Sequence, residues 1–208
     1  MKAITKEKQA KMTPELALEI LKEGNKRFSN NLQVKRDTLQ QVSDTSFGQF
    51  PFATILSCID SRGSSELIFD QGIGDIFSIR IAGNFVNEDI LGSMEFACKL
   101  AGAKLVLVLG HTACGAIKGA CDHARLGNLT ALINKIEPAV EAVIEPKDTT
   151  LRNSSNATFV DAVAKKNVEM TIDAIRNSSS ILAEMEREGS IKIVGGMYDI
   201  KTGKVHFY

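Results

Sequence analysis

The chain has 208 residues, of which 44% are hydrophobic, and its 25 Lys and Arg residues balance its 25 Asp and Glu residues to a formal net charge of zero. A chain of this length buries a sizeable core and favours a single domain over residues 1–208. A neutral chain lacks the basic field that attracts nucleic acid or an anionic membrane, and none of its apolar runs reaches the roughly 20 residues of a membrane span, so we expect a neutral small molecule as substrate.

Residues 1–47 are predicted to form an N-terminal helical arm. Its main helix spans residues 13–30, where a Thr-Pro-Glu start is followed by apolar residues at helical spacing: Leu16, Ile20, Leu21 and Phe28. The apolar stripe of this helix precedes the first core strand and could reach a neighbouring subunit. The polar start, "MKAITKEKQAKM", contains no apolar signal region, which predicts a cytoplasmic protein.

Beyond the arm, short apolar runs predict four strands: 52–58, 75–83, 104–111 and 191–199. Between them lie three segments of helical length: 87–102, 129–144 and 156–188. Strands of near-continuous hydrophobicity that alternate with helices predict an α/β fold, with a mostly parallel central sheet flanked by helices. The Thr-Gly turn near the C-terminus predicts an edge hairpin over 197–208, and the Ser/Asn-rich residues 149–156 predict an interhelical loop with a helix cap.

Two of the predicted strands end in residues of the kind that bind metals. Cys58 lies at the carboxyl end of the first strand, His111 lies at the carboxyl end of the third, and Cys114 begins the next helix. Sites form outside the carboxyl ends of parallel strands, so we expect these side chains to meet. Two Cys and one His with an open fourth position are typical of catalytic zinc, whereas structural zinc usually has four protein ligands. We therefore predict one Zn²⁺ per chain.

The other cysteines and histidines have no such neighbours in sequence. A single buried Cys is usually an inert small hydrophobe, which is our interpretation of Cys98 and Cys121. His123 and His206 lack partners, and we expect them to be structural or solvent-facing. Four cysteines are too few for a disulfide scaffold in a chain of this size.

Asp60 and Arg62 follow Cys58 at steps of two residues. If the extended conformation continues past Cys58, the three side chains point the same way and place a carboxylate beside the metal. Arg62 then keeps Asp60 ionised and fixed through a bidentate pair. Asp60 is close enough to serve either as a hydrogen-bond acceptor or as a conditional fourth zinc ligand, and we expect the open site near neutral pH.

Missing residues argue against two other kinds of site. "GHTACGAIKG" resembles a phosphate-binding loop, but Ala116 follows Gly115 where that loop requires Lys. A thiol redox site is disfavoured because the chain has no C-x-x-C motif.

Together these motifs resemble those of the beta-class carbonic anhydrases. The resemblance covers nearly the whole chain, from "LKEGNKRF" through "CIDSR", "GDIFSIRIAGN", "GSMEFA" and "GHTACGAIKG" to "YDIKTGKVHF". It implies a zinc ion held by Cys58, His111 and Cys114, with Asp60 and Arg62 as a catalytic dyad. It also implies that the carbon dioxide pocket is lined by Gln49, Phe77 and Phe96, and that the protein is a homodimer or a multiple of dimers with the pocket at the subunit interface.

The sequence departs from this family at three places. Gly63, Ser64 and Ser65 replace the family's usual Val and nearby Pro or Ala, which predicts a looser loop around the dyad. Phe96 stands where many relatives have Tyr. Ile55 and Ser57 stand where one bacterial subgroup uses Trp and Gly to build a non-catalytic bicarbonate site, and the chain has no Trp, so we do not expect that site here.

The predicted reaction is the reversible hydration of carbon dioxide to bicarbonate and a proton. Zinc lowers the pKa of its bound water toward about 7, which supplies hydroxide as the nucleophile, and the Asp60/Arg62 dyad orients it. The residues leave two alternatives open. One is hydrolysis of carbon disulfide or carbonyl sulfide, which are also linear, apolar and attacked at carbon. The other is a non-catalytic scaffold stabilised by zinc.

Overall fold

A five-stranded sheet forms the centre of the computed structural model, which describes residues 3–208. The strands are β1 (Ala53–Ser57), β2 (Ile76–Arg80), β3 (Leu105–His111), β4 (Lys192–Tyr198) and β5 (Val205–Phe207). Their order is β2-β1-β3-β4-β5, and only β5 is antiparallel to its neighbour. The predicted α/β fold, its four strands and its edge hairpin are confirmed. Residues 1 and 2 of the predicted arm lie outside the described residues.

Burial of the strands follows from their positions in the sheet. Every residue of β1 and β3 is buried, as expected for central parallel strands covered on both faces. In the edge strand β2 only Ile76 is buried, and the other residues are partly or fully exposed. Because β1 and β3 are parallel neighbours, with Ser57 paired to Leu109, their carboxyl ends lie at the same edge of the sheet.

Helices cover both faces of this sheet. They are α1 (Lys6–Ala10), α2 (Pro14–Ser29), α3 (Thr38–Thr45), α4 (Ser65–Ile68), α5 (Glu88–Glu95), α6 (Gly115–Cys121), α7 (Gly127–Ile133), α8 (Glu137–Ala142), α9 (Ala157–Ser178) and α10 (Ser180–Arg187). Leu21 of α2 packs in one apolar cluster with Ile55 and Leu107, and Val168 of α9 packs in another with Val106, on the opposite face of β3. Among residues 3–208, no helix is both long and apolar enough to cross a membrane.

The predicted helix caps are present. Thr13 precedes α2, and its side chain accepts a hydrogen bond from the Leu16 backbone N–H at 3.2 Å. Asn156 ends the predicted loop over 149–156 and accepts from the Phe159 N–H at 3.2 Å. The arm contains three helices, α1 to α3, where the sequence predicted one main helix.

All three predicted core helices are interrupted. The segment 129–144 divides into α7 and α8 because Pro138 has no N–H and is tolerated only in a first helical turn, where it lies in α8. The segment 156–188 divides at Ser179, whose extended backbone and side-chain hydroxyl cap α10. The segment 87–102 continues from α5 into a π-helical turn at Phe96–Leu100.

Candidate metal centre

Three ligand-type side chains meet at the carboxyl edge of the sheet. Cys58 directly follows β1, His111 is the last residue of β3, and Cys114 immediately precedes α6. Between the last two, Ala113 has a left-handed backbone (φ +54°), and its N–H donates to Asp161 Oδ1 at 3.0 Å. This hydrogen bond stabilises the tight turn that brings Cys114 back toward the strand end.

The ligand atoms of Cys58, His111 and Cys114 all lie within 4.8 Å of one another, and all three residues are buried. The two sulfur atoms are 3.8 Å apart. Two thiolates at about 2.3 Å from a tetrahedral zinc ion are about 3.8 Å apart, so the pair has the separation that zinc requires. The structure thus brings together the three side chains predicted as a metal site.

The imidazole of His111 is oriented for metal binding. Its Nδ1 lies 3.0 Å from the Thr112 carbonyl oxygen, which can only accept, so Nδ1 carries the proton. Its Nε2 is buried and has no hydrogen-bond partner among the described residues. A buried nitrogen lone pair without a partner, directed at two sulfur atoms, fits a metal ligand.

The two thiols are strongly coupled. The hydrogen bond from Cys114 lowers the pKa of Cys58 and outweighs the opposing effect of burial, and the Gly83 backbone N–H adds a contact to the Cys58 sulfur at 3.4 Å. The same hydrogen bond, together with burial, raises the pKa of Cys114. Ionisation of one thiol therefore opposes ionisation of the other, and a bound cation would favour both as thiolates.

Asp60 and Arg62 form the predicted bidentate pair. Arg62 Nε donates to Asp60 Oδ1 at 2.8 Å, and Arg62 Nη2 donates to Oδ2 at 2.7 Å. These hydrogen bonds hold the pKa of Asp60 well below its usual range. Asp60 Oδ2 lies 3.9 Å from His111 Nε2, so an ionised carboxylate stands beside the three ligands.

The extended conformation does not continue to Arg62. The strand ends at Ser57, and the Gly63 N–H donates to the Asp60 carbonyl oxygen at 2.9 Å to form a turn that begins at Asp60. The Asp60 carboxylate also accepts from the Arg62 backbone N–H at 2.9 Å, a local hydrogen bond that favours a turn over a strand. Arg62 therefore comes back to the Asp60 carboxylate through a turn and not through strand alternation.

Arg80 supports the same loop, although no motif in the sequence pointed to it. Its Nε donates to the Cys58 carbonyl oxygen at 3.1 Å, and its Nη2 donates to the Asp60 carbonyl oxygen at 2.6 Å. Arg80 is the last residue of β2, paired with Ser57 of β1. A charged residue at the end of an apolar strand, beside a strand that carries a ligand, is the signal that could have identified it.

Comparison with known proteins supports this assignment. The family model described as carbonic anhydrase matches residues 53–205. Carbonic anhydrase 2 of Mycobacterium tuberculosis is 32% identical over 197 residues, which cover 92% of this chain and 91% of that protein. This chain belongs to the beta-class carbonic anhydrase family.

Further comparisons identify other carbonic anhydrases as similar to this chain. A carbonic anhydrase of Mycolicibacterium smegmatis is 31% identical over 199 residues and 92% of each chain. The crystal structure of a beta-carbonic anhydrase of Aspergillus fumigatus superposes with a TM-score of 0.73 at 25% identity, over 93% of this chain and 89% of that one.

The residues that the carbonic anhydrase resemblance assigned to the substrate pocket lie elsewhere on this chain. Gln49 is exposed in the loop after α3. The rings of Phe77 and Phe96 contact each other, with centroids 6.2 Å apart, and Phe96 is 51% exposed. The cavity beside the metal ligands includes Asp60 and His111 in its lining but none of these three residues. Within one chain, therefore, the predicted pocket residues do not line the cavity beside Cys58 and His111.

Proposed function

We propose that the protein catalyses the reversible hydration of carbon dioxide to bicarbonate and a proton, with one zinc ion held by Cys58, His111 and Cys114. The observation that carries this proposal is the buried cluster of these three ligand atoms within 4.8 Å of one another, beside the Asp60–Arg62 pair. Three protein ligands leave a fourth position free, as in catalytic zinc sites.

Zinc bound there would acidify a coordinated water and so supply hydroxide near neutral pH. The chain's own residues hold the metal and orient the attacking oxygen. Cys58 and Cys114 supply the negative charge that holds the cation, and His111 is kept in the required tautomer by the Thr112 carbonyl. Asp60 Oδ2 accepts from Arg62 and keeps a second lone pair, with which it can orient the attacking oxygen toward the carbon of the substrate.

We further propose that the pocket is completed across a subunit interface. Gln49, Phe77 and Phe96 lie away from the ligands of their own chain, and Phe96 presents a large apolar surface to solvent. In a homodimer or a multiple of dimers, these residues of one subunit would line the carbon dioxide pocket of its partner. Structural neighbours from Sordaria macrospora are described as tetrameric beta-carbonic anhydrases.

Two broader predictions accompany this function. We propose that the chain is a single domain, because strands from residue 53 to residue 207 belong to one sheet. We also propose a cytoplasmic location, because the paired ligand thiols must stay reduced and all four cysteines are free.

Metal analysis and a hydration assay test the proposed function. Purified protein is expected to hold about one zinc ion per chain. Cys58→Ser, His111→Ala and Cys114→Ser should each lose the metal and the activity together, because each removes one of three ligands. Cys98→Ala is the matched control, since Cys98 is also a buried free thiol but does not belong to the cluster. Full zinc occupancy in His111→Ala would contradict the assignment.

A further inference from the structure

A second cavity lies between helices α8 and α9 and the segment that follows β2. It shares no lining residue with the cavity beside the metal ligands. Its volume is about 250 Å³, below the roughly 300 Å³ at which pockets for drug-sized ligands begin, so it suits a smaller molecule. Most of its described wall is apolar, and this wall includes Phe85, Pro138 and Met170.

Asn167 contributes an amide oxygen that has no partner. The residue lines the cavity and is only 3% exposed. Its Nδ2 donates to the Gly83 carbonyl oxygen at 2.8 Å, which fixes the orientation of the amide. Its Oδ1 accepts no hydrogen bond from residues 3–208, and because this atom is not sealed inside the protein, it faces the cavity. Buried amide oxygens are nearly always hydrogen-bonded, so a molecule in the cavity is expected to donate to Oδ1.

Thr171 lies one helical turn after Asn167, on the same face of α9. It also lines the cavity and is only 4% exposed. Its hydroxyl likewise has no hydrogen-bond partner within the described part of the chain and is not sealed from the cavity. Two polar side chains, each more than nine-tenths buried, therefore present unpaired groups to one cavity.

Lys135 gives the cavity a positive charge. This exposed residue belongs to the lining, and its Nζ lies 5.9 Å from the centroid of the Phe85 ring. No acidic residue lines the cavity among residues 3–208. The lining therefore combines one cation, two buried polar groups and an apolar wall.

These groups determine which ligand the cavity can recognise. Asn167 Oδ1 can only accept, so the ligand has to offer an O–H or an N–H. Lys135 favours a single negative charge, which a carboxylate carries. An ammonium group on the ligand would be buried without a carboxylate partner, so a hydroxyl is the better donor. The apolar wall suits a short hydrocarbon chain.

We propose that this cavity binds a small α-hydroxycarboxylate with a short hydrocarbon chain. The hydroxyl of the ligand donates to Asn167 Oδ1, the Thr171 hydroxyl forms a second hydrogen bond to the ligand, and the carboxylate lies at Lys135. The proposal does not rest on the proposed function, because no predicted metal ligand lines this cavity.

Calorimetric titration of the zinc-loaded protein with α-hydroxyisovalerate tests this binding. Two analogues test the recognised groups in the unmodified protein, because isovalerate lacks the hydroxyl and α-hydroxyisovaleramide lacks the charge. Isovalerate should bind about tenfold more weakly, the effect of one net hydrogen bond. The amide should bind about fivefold more weakly, the effect of one exposed ion pair. Equal affinity for all three compounds, or no measurable binding of α-hydroxyisovalerate, would overturn the proposal.

Four variants test where α-hydroxyisovalerate binds. Thr171→Val should weaken its binding by about tenfold and Lys135→Met by about fivefold. Thr54→Val is the matched control for the hydroxyl, because Thr54 Oγ1 is buried without a partner among the described residues but does not line this cavity. Lys165→Met is the control for the charge, because Lys165 Nζ lies 5.3 Å from the centroid of the Tyr208 ring and is also outside the lining.

Both control variants should bind α-hydroxyisovalerate like the unmodified protein. Binding that is unchanged in both Thr171→Val and Lys135→Met would place the compound elsewhere, such as at the metal, and would overturn the proposal.

A crystal structure of the zinc-loaded protein soaked with α-hydroxyisovalerate locates the ligand directly. We expect its hydroxyl oxygen within about 2.5 to 3.0 Å of Asn167 Oδ1, and its carboxylate beside Lys135. A cavity that holds only water at a saturating concentration of the compound would overturn the proposal.

Discussion

At the scale of single residues, we expect the state of the proposed metal site to depend on which partner Asp60 binds. Both of its carboxylate oxygens accept hydrogen bonds from Arg62, and the Arg62 side chain is 52% exposed. Replacement of Arg62 therefore removes the pair without opening a cavity in the core. Replacement of Arg62 and replacement of Asp60 should impair the site in different ways, because Arg62 controls the position of the carboxylate and Asp60 supplies it.

We predict that Arg62→Ala releases Asp60 to become a fourth metal ligand. The variant should keep about one zinc per chain but lose hydration activity by roughly 100-fold or more, because the open position is filled. Asp60→Asn should keep both the metal and the open position, and lose activity because the neutral amide orients the attacking oxygen poorly. Metal analysis and stopped-flow hydration assays measure both effects.

Arg125→Ala is the control for this pair. Arg125 is similarly exposed, at 48%, and donates to Glu137 at 2.8 Å, without lining the cavity beside the metal ligands. Its loss should change neither zinc content nor activity. Loss of zinc from Arg62→Ala would show that Arg62 stabilises the ligand set and does not restrain Asp60.

At the scale of elements, Asp70 attaches the helical arm to the body of the protein. It lies just after α4, accepts from Arg27 of α2 at 2.5 Å, and also pairs with Arg36 in the segment between α2 and α3. Burial raises the pKa of Asp70, but the hydrogen bonds from Arg27 and Arg36 outweigh it and hold the pKa below its usual value. The ionised carboxylate therefore stabilises the attachment of the arm.

We predict that Asp70→Asn lowers the free energy of unfolding by roughly 3 kcal/mol near neutral pH, the cost of breaking a largely buried pair. Asn tolerates the left-handed backbone of this position (φ +46°), so the charge is the main change. Stabilisation by Asp70 is complete above its unfolded-state pKa of about 3.9 and is lost as the pH falls through the lower folded-state pKa. The difference from the unmodified protein should therefore shrink below about pH 4 in urea denaturation curves.

Glu19→Gln is the control, because Glu19 lies in α2, the helix that also contains Arg27. Glu19 is exposed and lies 4.0 Å from Lys22, a surface pair expected to contribute less than about 1 kcal/mol. A destabilisation by Asp70→Asn that stays constant across this pH range would mean that the charge of Asp70 is not its source.

At the scale of the whole molecule, the separation of the ligands from Gln49, Phe77 and Phe96 predicts an obligate assembly. We expect light scattering to find an even-numbered oligomer. Phe96→Glu places a charge on the apolar surface of a half-exposed ring, and should split the oligomer and reduce hydration, while zinc stays bound because all three ligands come from one chain.

Leu126→Glu is the control for assembly, since Leu126 is 72% exposed and lies outside the set of predicted pocket residues. It should assemble like the unmodified protein. A stable monomer of the unmodified protein that is fully active at assay concentration would contradict the shared pocket.

Local sequence patterns were enough to predict the sheet and the cluster of Cys58, His111 and Cys114, whereas the contacts that support this site follow only from the folded structure. Continuous apolar runs and strand-end residues are local signals, so β1, β3 and the ligands at their ends, Cys58 and His111, could be read from the chain. The turn that begins at Asp60 is stabilised by a local hydrogen bond from the Arg62 N–H to the Asp60 carboxylate. The contacts of Arg80 and Gly83 with Cys58 depend instead on the register of β2 against β1 and on the chain that follows β2. No local periodicity encodes these contacts between distant segments, because the positions of their partners are set only when the sheet assembles.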